Sequence, residues 1–219
     1  MIAESLVNHR LSPLRTTDTV EAAMEFMVQN GVTELPVIDK KQVVNYARLA
    51  NLATLPKSKL LVDVIPVHPY PPVATVNNHL YELIPLLSAN DLSVLAVCNT
   101  QGEFVGITEQ KQINKYIAES LTYRGLGAIL VLNLDNRSYA PSHLARIIEE
   151  NGAKIIGLVL KQREDQTLWV NIKLNTTTVK PIVTSLNRHD YRVENIFMSE
   201  DMDEENNREF DMVLRFFDI

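Results

Sequence analysis

The residue types that most often carry chemistry are few in this sequence and lie far apart. The chain has five histidines, which are spread over its whole length: His9, His68, His79, His143 and His189. No two of them have the i, i+4 spacing of a helical zinc site, and the single cysteine, Cys98, follows an apolar run that predicts a buried structural thiol. Glu149 and Glu150 are adjacent, so they point to different faces of a helix and cannot act as a paired acid and base. We therefore expect no catalytic residues, no metal site and no cofactor.

The composition also excludes several classes of protein. Of the 219 residues, 46% are hydrophobic and 22% are charged, close to the average of globular proteins, and the formal net charge is −6. Without a dense cluster of lysine and arginine, nucleic-acid binding is not expected. No apolar run approaches the ~20 residues of a membrane helix, and residues 1–10 lack the apolar core of a signal peptide. One cysteine excludes a disulfide framework, so the cytoplasm is the expected location.

The first half of the chain repeats at an interval of about sixty residues. Each copy has a polar residue at a predicted N-cap, Asp18 or Asn78, followed by an amphipathic helix, two short apolar strands and a closing helix. The predicted strands are 34–39, 43–47, 93–98 and 103–107, and the predicted closing helices lie near 48–55 and 109–121. Three prolines within residues 69–72 fix an extended connection between the copies, which is either a stiff linker or the wall of a ligand cleft.

The last third has a different pattern, which predicts the order strand, helix, strand, strand, helix, strand of a ferredoxin-like unit. The predicted strands are 128–135, 154–161, 168–174 and 192–198, and the predicted helices are 141–151 and 178–187. Trp169 stands among alternating apolar residues and is predicted to be part of the core.

A further amphipathic helix is predicted over 203–219. Its apolar residues fall on one face: Phe210, Val213, Leu214 and Phe217. This face must cover a surface, either on its own domain or on a second subunit. The acidic residues of 201–205 are either a partner site or residues that favour the helix N-terminus through its dipole.

Each copy in the first half resembles a CBS (cystathionine-β-synthase) domain, and the two together resemble a tandem CBS pair, or Bateman module. In the first copy the helix after Asp18 is followed by Glu34-Leu35-Pro36-Val37-Ile38-Asp39, which is similar to the family's x-x-P-V-[VI]-D. In the second copy Gly102-Glu103-Phe104-Val105-Gly106-Ile107 is similar to G-x-[LF]-V-G-[IV]. The resemblance covers about residues 5–121.

In the last third, Asp135-Asn136 at the end of a predicted strand is followed by a helix start around Ala140-Pro141-Ser142. On these residues, about 126–200 resemble an ACT domain. The implied fold class is α+β: two CBS repeats of βαββα type over 1–62 and 63–124, then an ACT-like βαββαβ domain with a C-terminal helix over 125–219. This arrangement is similar to acetoin-utilisation-type regulatory proteins, and it implies a small-molecule-sensing, non-catalytic homodimer.

The CBS resemblance also suggests ligand residues. Adenosine-nucleotide-binding members end each unit with G-x-x-[ST]-x-x-D, whose aspartate contacts the ribose hydroxyls. Here Arg48 and Asn51 take the hydroxyl and aspartate positions of the first copy, and Glu109 and Gln112 take those of the second. An amide can still accept one hydroxyl, and Arg48 attracts a phosphate that Glu109 would repel. The cleft with Arg48 and Asn51 is therefore the candidate nucleotide site; the alternative is that both clefts are empty.

The ACT resemblance places an amino-acid or other metabolite site near Asp135 and Ser142. Ser142 replaces the glycine that lets such a ligand approach the backbone in that family, and its hydroxyl could instead cap the helix.

Two functions remain open. One is a sensor of an adenine nucleotide or another small molecule. The other is an interaction scaffold with empty sites that acts through homodimerisation or a protein partner. In a CBS dimer the helix faces with Met24 and Met27 and with Leu83 and Leu87 would be the contact, but the same residues could be core.

Overall fold

The computed structural model describes residues 1–198, and the chain divides into two units, Met1–Ile117 and Ala118–Ile219. The helix predicted over 203–219 lies outside the described residues. The architecture is mixed α and β, as predicted. Among the described helices, none is long and apolar enough to cross a membrane. The domain limits at 62/63 and 124/125 stay predictions; the segment 118–124 groups with the second unit.

The first unit contains two copies of a strand–helix–strand–strand–helix motif. The first copy consists of β1 (Leu14–Arg15), α1 (Val20–Gln29), β2 (Glu34–Asp39), β3 (Gln42–Arg48) and α2 (Leu49–Leu52). The second consists of β4 (Val73–Thr75), α4 (Leu80–Ala89), β5 (Val94–Cys98), β6 (Phe104–Glu109) and α5 (Gln110–Ala118). Each copy forms a three-stranded sheet, β1-β2-β3 or β4-β5-β6, in which the first pair is parallel and the second antiparallel.

The helices α1 and α4 begin one residue later than the predicted caps require. Thr19 and His79 are the N-caps, and the side chain of each accepts a backbone N–H of the first turn. Asp18 and Asn78 instead accept the backbone N–H three residues before them, each at 2.7 Å, and so close the turn between strand and helix. The predicted caps were wrong because short carboxylate and amide side chains serve turns as readily as caps.

The segment that precedes each copy packs on the other copy. We call residues 1–8 the first leader and residues 59–68 the second leader. Ala3 and Leu61 each donate their N–H, at 2.8 Å, to the carbonyl of the residue before the helix cap of the opposite copy. A short helix stands at the same place in each leader: a 3₁₀ turn at Ala3–Leu6 and α3 at Leu61–Val64. The two copies therefore complete each other.

The inward faces of α1 and α4 are core. Met27 and Leu83 are fully buried and Leu87 is 3% exposed. Met24 is half-buried and packs against the core cluster that contains Met27. Of the two interpretations left open for these faces, the structure supports the core for Met27, Leu83 and Leu87. Cys98 is buried, as predicted, and it is the last residue of β5.

The second unit has the predicted element order. Its elements are α6 (Leu121–Arg124), β7 (Ile129–Asp135), α7 (Pro141–Glu150), β8 (Ile155–Gln162), β9 (Thr167–Leu174), α8 (Lys180–Arg188) and β10 (Val193–Phe197). The four strands form an antiparallel sheet in the order β10-β7-β9-β8, and α7 and α8 share a buried core with one face of it.

Trp169 is not part of that core. Leu168 and Val170 on either side of it are buried in the core, so the alternation of a strand turns Trp169 to the opposite face, where it is half-buried. The prediction that Trp169 is core was wrong because an aromatic residue in an apolar strand was assigned by type rather than by its place in the alternation.

Candidate ligand cleft at Arg48

A cavity of about 570 Å³ opens between the two copies of the first unit, a volume typical of small-molecule sites. We call it the Arg48 cleft. Both copies supply polar residues to its lining: Thr33, Glu34 and Arg48 from the first, and Asp91, Ser93 and Gln110 from the second. A ligand in this position would contact both copies at once.

Arg48 stands at the end of β3, where the antiparallel register places it opposite Glu34 at the start of β2. Its Nη2 donates to the carbonyl of Asn90 at 2.9 Å, and its Nη1 lies 3.5 Å from Oδ2 of Asp91. The Arg48 side chain is 39% exposed and that of Asp91 is fully exposed. Exposed ion pairs are weak, so the guanidinium can exchange Asp91 for an anionic group of a ligand.

Glu34 is a cleft residue that the sequence analysis missed. It is 5% exposed, and its carboxylate accepts the backbone N–H of Ser93 and, at 2.5 Å, the hydroxyl of Thr33. Burial raises the pKa of Glu34, but the hydrogen bonds from Ser93 and Thr33 and the charge of Arg48 outweigh it and hold this pKa below its ordinary value of 4.5. Glu34 therefore stays ionised and links the two copies. The signal in the sequence was a charged residue at the first position of a strand that is otherwise mostly apolar.

Asn51, predicted to accompany Arg48, does not line the Arg48 cleft. It is exposed on α2, and its carbonyl accepts the hydroxyl of Thr54 at 2.8 Å. The structure thus brings one of the two predicted first-copy residues to the cavity.

Glu109 occupies in the second copy the position that Arg48 has in the first, because it pairs with Val94 as Arg48 pairs with Glu34. Glu109 is 3% exposed. Its carboxylate accepts the side-chain amide of Asn8 in the first leader at 2.6 Å and lies 2.5 Å from Nζ of Lys111. This position is filled by the chain's own side chains.

Gln112, the other predicted residue of the second copy, serves the backbone. Its side-chain oxygen accepts the N–H of Glu109 at 3.3 Å, at the start of α5. Thr108, next to Glu109, is fully buried, and within residues 1–198 its hydroxyl has no hydrogen-bond partner.

The two residues predicted in the second unit lie in exposed positions. Asp135 ends β7, and its carboxylate accepts the N–H of Arg137 at 2.8 Å in a 3₁₀ turn. Ser142 is the second residue of α7, whose N-cap is Ala140 and has no side-chain cap bond. The idea that Ser142 caps this helix was wrong, because Pro141 takes the first helical position, so the N-cap lies two residues earlier, at Ala140.

Within the described part of the chain, no group of three or more histidine, cysteine, aspartate or glutamate side chains could hold a metal ion.

The comparisons with known proteins agree with the geometry of the first unit. Residues 3–54 match the family model of the CBS domain. A comparison with curated proteins gives no match. Among solved structures, a CBS domain pair/ACT domain protein from Thermotoga maritima is 14% identical, with a TM-score of 0.50 over 54% of this chain and 98% of that chain.

Two further solved structures are similar at lower scores. The CBS domains of a transcriptional regulator from Streptococcus pneumoniae are 18% identical, with a TM-score of 0.47 over 52% of this chain and 98% of that chain. CBSX2 from Arabidopsis thaliana, a CBS-pair protein, is 21% identical, with a TM-score of 0.47 over 54% of this chain and 94% of that chain.

Residues 3–54 therefore match a CBS domain, and about half of the chain has the fold of a CBS pair. To this extent the resemblance of the first half is confirmed. The ACT-like domain and the similarity to acetoin-utilisation-type proteins stay predictions.

Proposed function

We propose that this chain is a non-catalytic regulatory protein that senses a small molecule, and that an adenine nucleotide in the Arg48 cleft is its ligand. The observation that carries the proposal is a cavity of about 570 Å³ that holds a partly exposed guanidinium between two copies of a CBS fold.

The lining of the Arg48 cleft suits a nucleotide. Arg48 supplies the fork of donors that binds a phosphate, in exchange for its contact with Asp91. The Glu34 carboxylate is ionised, and each of its oxygens has a second lone pair, so it can accept ribose hydroxyls or an amino group. Leu49 and Leu92 give the same cavity apolar walls for a base.

Sensing follows from the position of the cleft between the copies. The contact of Glu34 with Ser93 already joins the copies at this place. A ligand that contacts residues of both copies stabilises the arrangement in which those contacts are best, and it shifts the population towards that arrangement.

For the second unit we propose an ACT-like, ferredoxin-like domain. The sheet order β10-β7-β9-β8 and the two helices on one face support this assignment. An amino acid or similar metabolite near Asp135 and Ser142 is the second candidate effector; both side chains are exposed.

We further propose that the chain acts as a homodimer in the cytoplasm. The outer faces of α1 and α4 carry exposed apolar residues, among them Val28 at 65%, Tyr81 at 77% and Ile84 at 40%. The single buried cysteine suits a reducing compartment.

A scaffold without a ligand is the second candidate function. The position of Glu109 favours it, since a buried carboxylate that is already bonded to Asn8 and Lys111 would repel a phosphate there.

The test is a thermal-shift and calorimetry screen with adenosine, AMP, ADP, ATP, S-adenosylmethionine, NADH and the twenty amino acids. A hundredfold excess over Kd stabilises the folded protein by about 2.7 kcal/mol, which raises Tm by about 2–4 °C. We expect this shift with an adenine nucleotide, and we expect Arg48→Ala to remove most of it. Arg146→Ala is the matched control, because Arg146 also forms an exposed ion pair, with Glu150 in the second unit.

Equal nucleotide binding by Arg48→Ala and the unchanged chain would mean that the site is elsewhere. A shift with amino acids alone would move the sensing site to the second unit. No shift with any compound would favour the scaffold.

A further inference from the structure

Two histidines that lie far apart in the sequence meet in the second unit. His143 is the third residue of α7 and is half-buried, and His189 is the C-cap of α8 and is exposed. The centres of their rings are 5.2 Å apart, and the ring planes are nearly perpendicular, at 86°. Local spacing gives no signal for this pair, because the two residues come together only through the packing of the two helices.

One nitrogen of each imidazole is already bonded within the chain. Nδ1 of His189 lies 2.8 Å from the carbonyl oxygen of Ser185. A carbonyl oxygen can only accept, so Nδ1 of His189 carries the proton and Nε2 of the neutral ring has the free lone pair. Nδ1 of His143 lies 3.1 Å from the hydroxyl oxygen of Tyr191. Nε2 of each ring is therefore the nitrogen that can bind a ligand.

The bonds at Nδ1 also fix the orientation of the rings. Tyr191 is 4% exposed, and the centre of its ring lies 5.4 Å from that of His143. Burial raises the pKa of Tyr191, so its hydroxyl stays protonated and can either donate to the imidazole or accept from it. Histidines that bind a metal almost always have their other ring nitrogen bonded in this way. Both histidines of the pair meet this condition.

The distance between the rings suits a tetrahedral metal ion. Zinc binds an imidazole nitrogen at ~2.0–2.1 Å, so the centres of two rings on one tetrahedral zinc ion are roughly 5 Å apart. The observed 5.2 Å agrees with this arrangement. Imidazole nitrogen is a preferred ligand of zinc and other late transition metals, whereas magnesium and calcium prefer oxygen.

A carboxylate lies within electrostatic reach of the pair. Glu150, the last residue of α7, forms an exposed ion pair with Arg146 at 2.8 Å. The pKa of Glu150 is lowered mainly by Arg146 and, to a smaller extent, by the charges of His189 and His143. Because an exposed ion pair is weak, the carboxylate of Glu150 remains able to offset the charge of a cation on the two histidines.

We propose that His143 and His189 form a zinc site, in which Nε2 of each histidine binds the ion and water takes the remaining positions. Among residues 1–198, no group of three or more possible ligand side chains could hold a metal. The site is therefore of the open, exchangeable kind and not a closed structural site with four protein ligands. The bound ion connects the first turn of α7 to the end of α8, and so it stabilises the second unit.

Calorimetry with zinc chloride and the untagged full chain tests the site. We expect saturable binding of about one zinc ion per chain and a Tm that rises with the zinc concentration. His143→Gln and His189→Gln should each weaken zinc binding by about tenfold or more. His9→Gln is the matched control, because His9 is an exposed histidine of the first unit, and it should leave the zinc affinity unchanged. An excess of magnesium should not compete, because magnesium prefers oxygen ligands.

A second variant distinguishes a metal site from a simple ring contact. Tyr191→Phe keeps the packed ring but removes the hydroxyl that orients His143, so zinc affinity should fall several-fold in a chain that circular dichroism shows to be folded. Three results would overturn the proposal. They are no saturable zinc binding by the unchanged chain, full zinc affinity in both folded histidine variants, and a loss of affinity in His9→Gln as large as that in His189→Gln.

Discussion

The two copies of the CBS fold place opposite charges at the same structural position. Arg48 ends β3 beside a cavity, with one exposed carboxylate and one carbonyl as its partners. Glu109 ends β6 in a buried position, with Asn8 and Lys111 on its carboxylate. The copies thus share the same order of elements, while the equivalent strand end carries a cation beside a cavity in the first copy and a buried carboxylate in the second.

The leaders explain part of this difference. The first leader presents Asn8 to the second copy, where its side chain reaches Glu109 and its backbone N–H reaches Ile107 at 2.7 Å. The second leader meets the first copy through the backbone of His68, whose N–H donates to Val44 at 2.8 Å. Among the described residues, the second leader has no side chain that bonds to Arg48 as Asn8 bonds to Glu109.

If the two copies have equivalent cores and differ only at the clefts, truncating equivalent core residues should lower the free energy of unfolding by the same amount. Leu35 and Leu95 are both fully buried at the second position of β2 and near the start of β5. We expect Leu35→Ala and Leu95→Ala each to lower the free energy of unfolding of the first unit by about 2–5 kcal/mol, from lost burial and a residual cavity.

Urea denaturation measures this cost, with Leu60→Ala as the control because Leu60 is 39% exposed. A large cost at one position and a small one at the other would break the equivalence of the copies.

Glu34→Gln should reveal a difference between the copies, because Glu34 has no charged counterpart in the second copy, where Val94 is at the equivalent position. We expect this substitution to lower the free energy of unfolding of the first unit by about 1.5–3 kcal/mol at pH 7, because hydrogen bonds to a buried charge are replaced by hydrogen bonds to an amide. The pKa of Glu34 is lowered on folding, so this stabilisation is present above its ordinary pKa of 4.5 and is lost as the pH falls through the lowered value.

The difference between Glu34→Gln and the unchanged chain should therefore shrink in acid. Urea unfolding at pH 7 and at about pH 3 tests this sign, with the exposed Glu21→Gln as control. A difference that grows in acid would contradict the assignment of an ionised Glu34.

Asn8→Ala should loosen the first leader more than Asn45→Ala loosens the second. Asn8 donates to a buried carboxylate at 2.6 Å, whereas Asn45 donates to the carbonyl of Pro66 at 2.7 Å. We expect Asn8→Ala to lower the free energy of unfolding by about 1.5–3 kcal/mol and Asn45→Ala to lower it by about 0.5–1.5 kcal/mol, because hydrogen bonds to charged groups are stronger than those to neutral groups. Amide exchange of Ala3 and Leu61 reports each leader separately. Equal effects would mean that Glu109 adds nothing to the first leader.

The smallest effect is expected for Asp91→Asn, which releases Arg48 from an exposed ion pair. We expect nucleotide affinity to rise by a factor of about 1.4–5, the worth of such a pair, with an unchanged Tm. Calorimetry measures the affinity, and Glu103→Gln, which breaks the exposed pair with Lys41, is the control. A fall in affinity would place Asp91 among the groups that bind the ligand.

Features with a local period were predictable from the sequence. The order of strands and helices in both halves follows from the spacing of apolar residues, as for Val179, Ile182, Val183 and Leu186, which all lie buried in the second unit. The placement of Arg48 beside the cleft followed from the family motif. Its contact with Asp91 did not, because the motif gives no position for the turn after α4.

Features that depend on distant partners were not predictable. Glu34 bonds to a residue 59 positions away, and Asn8 to one 101 positions away. Because the exchange of leaders leaves no periodic pattern of apolar residues in the sequence, no helix or strand was predicted for residues 1–8. Asp18 and Ser142 show a smaller limit: polar side chains near a helix start can serve a turn, a cap or solvent, and the backbone decides which.

The exchange of leaders has a consequence for how the first unit is made. A chain synthesised from its N-terminus releases the first leader long before the copy on which that leader packs, and the first copy is complete only when residues 59–68 have emerged. Neither copy can be excised by cutting between them, because each would lose the segment that belongs to it in space. We expect a fragment that starts at Leu11 to lose structure first in the second copy, near Asn78 and Ile107. We expect the folding unit to be the pair, closed by the contact between Asn8 of the first leader and Glu109, which is 101 positions later.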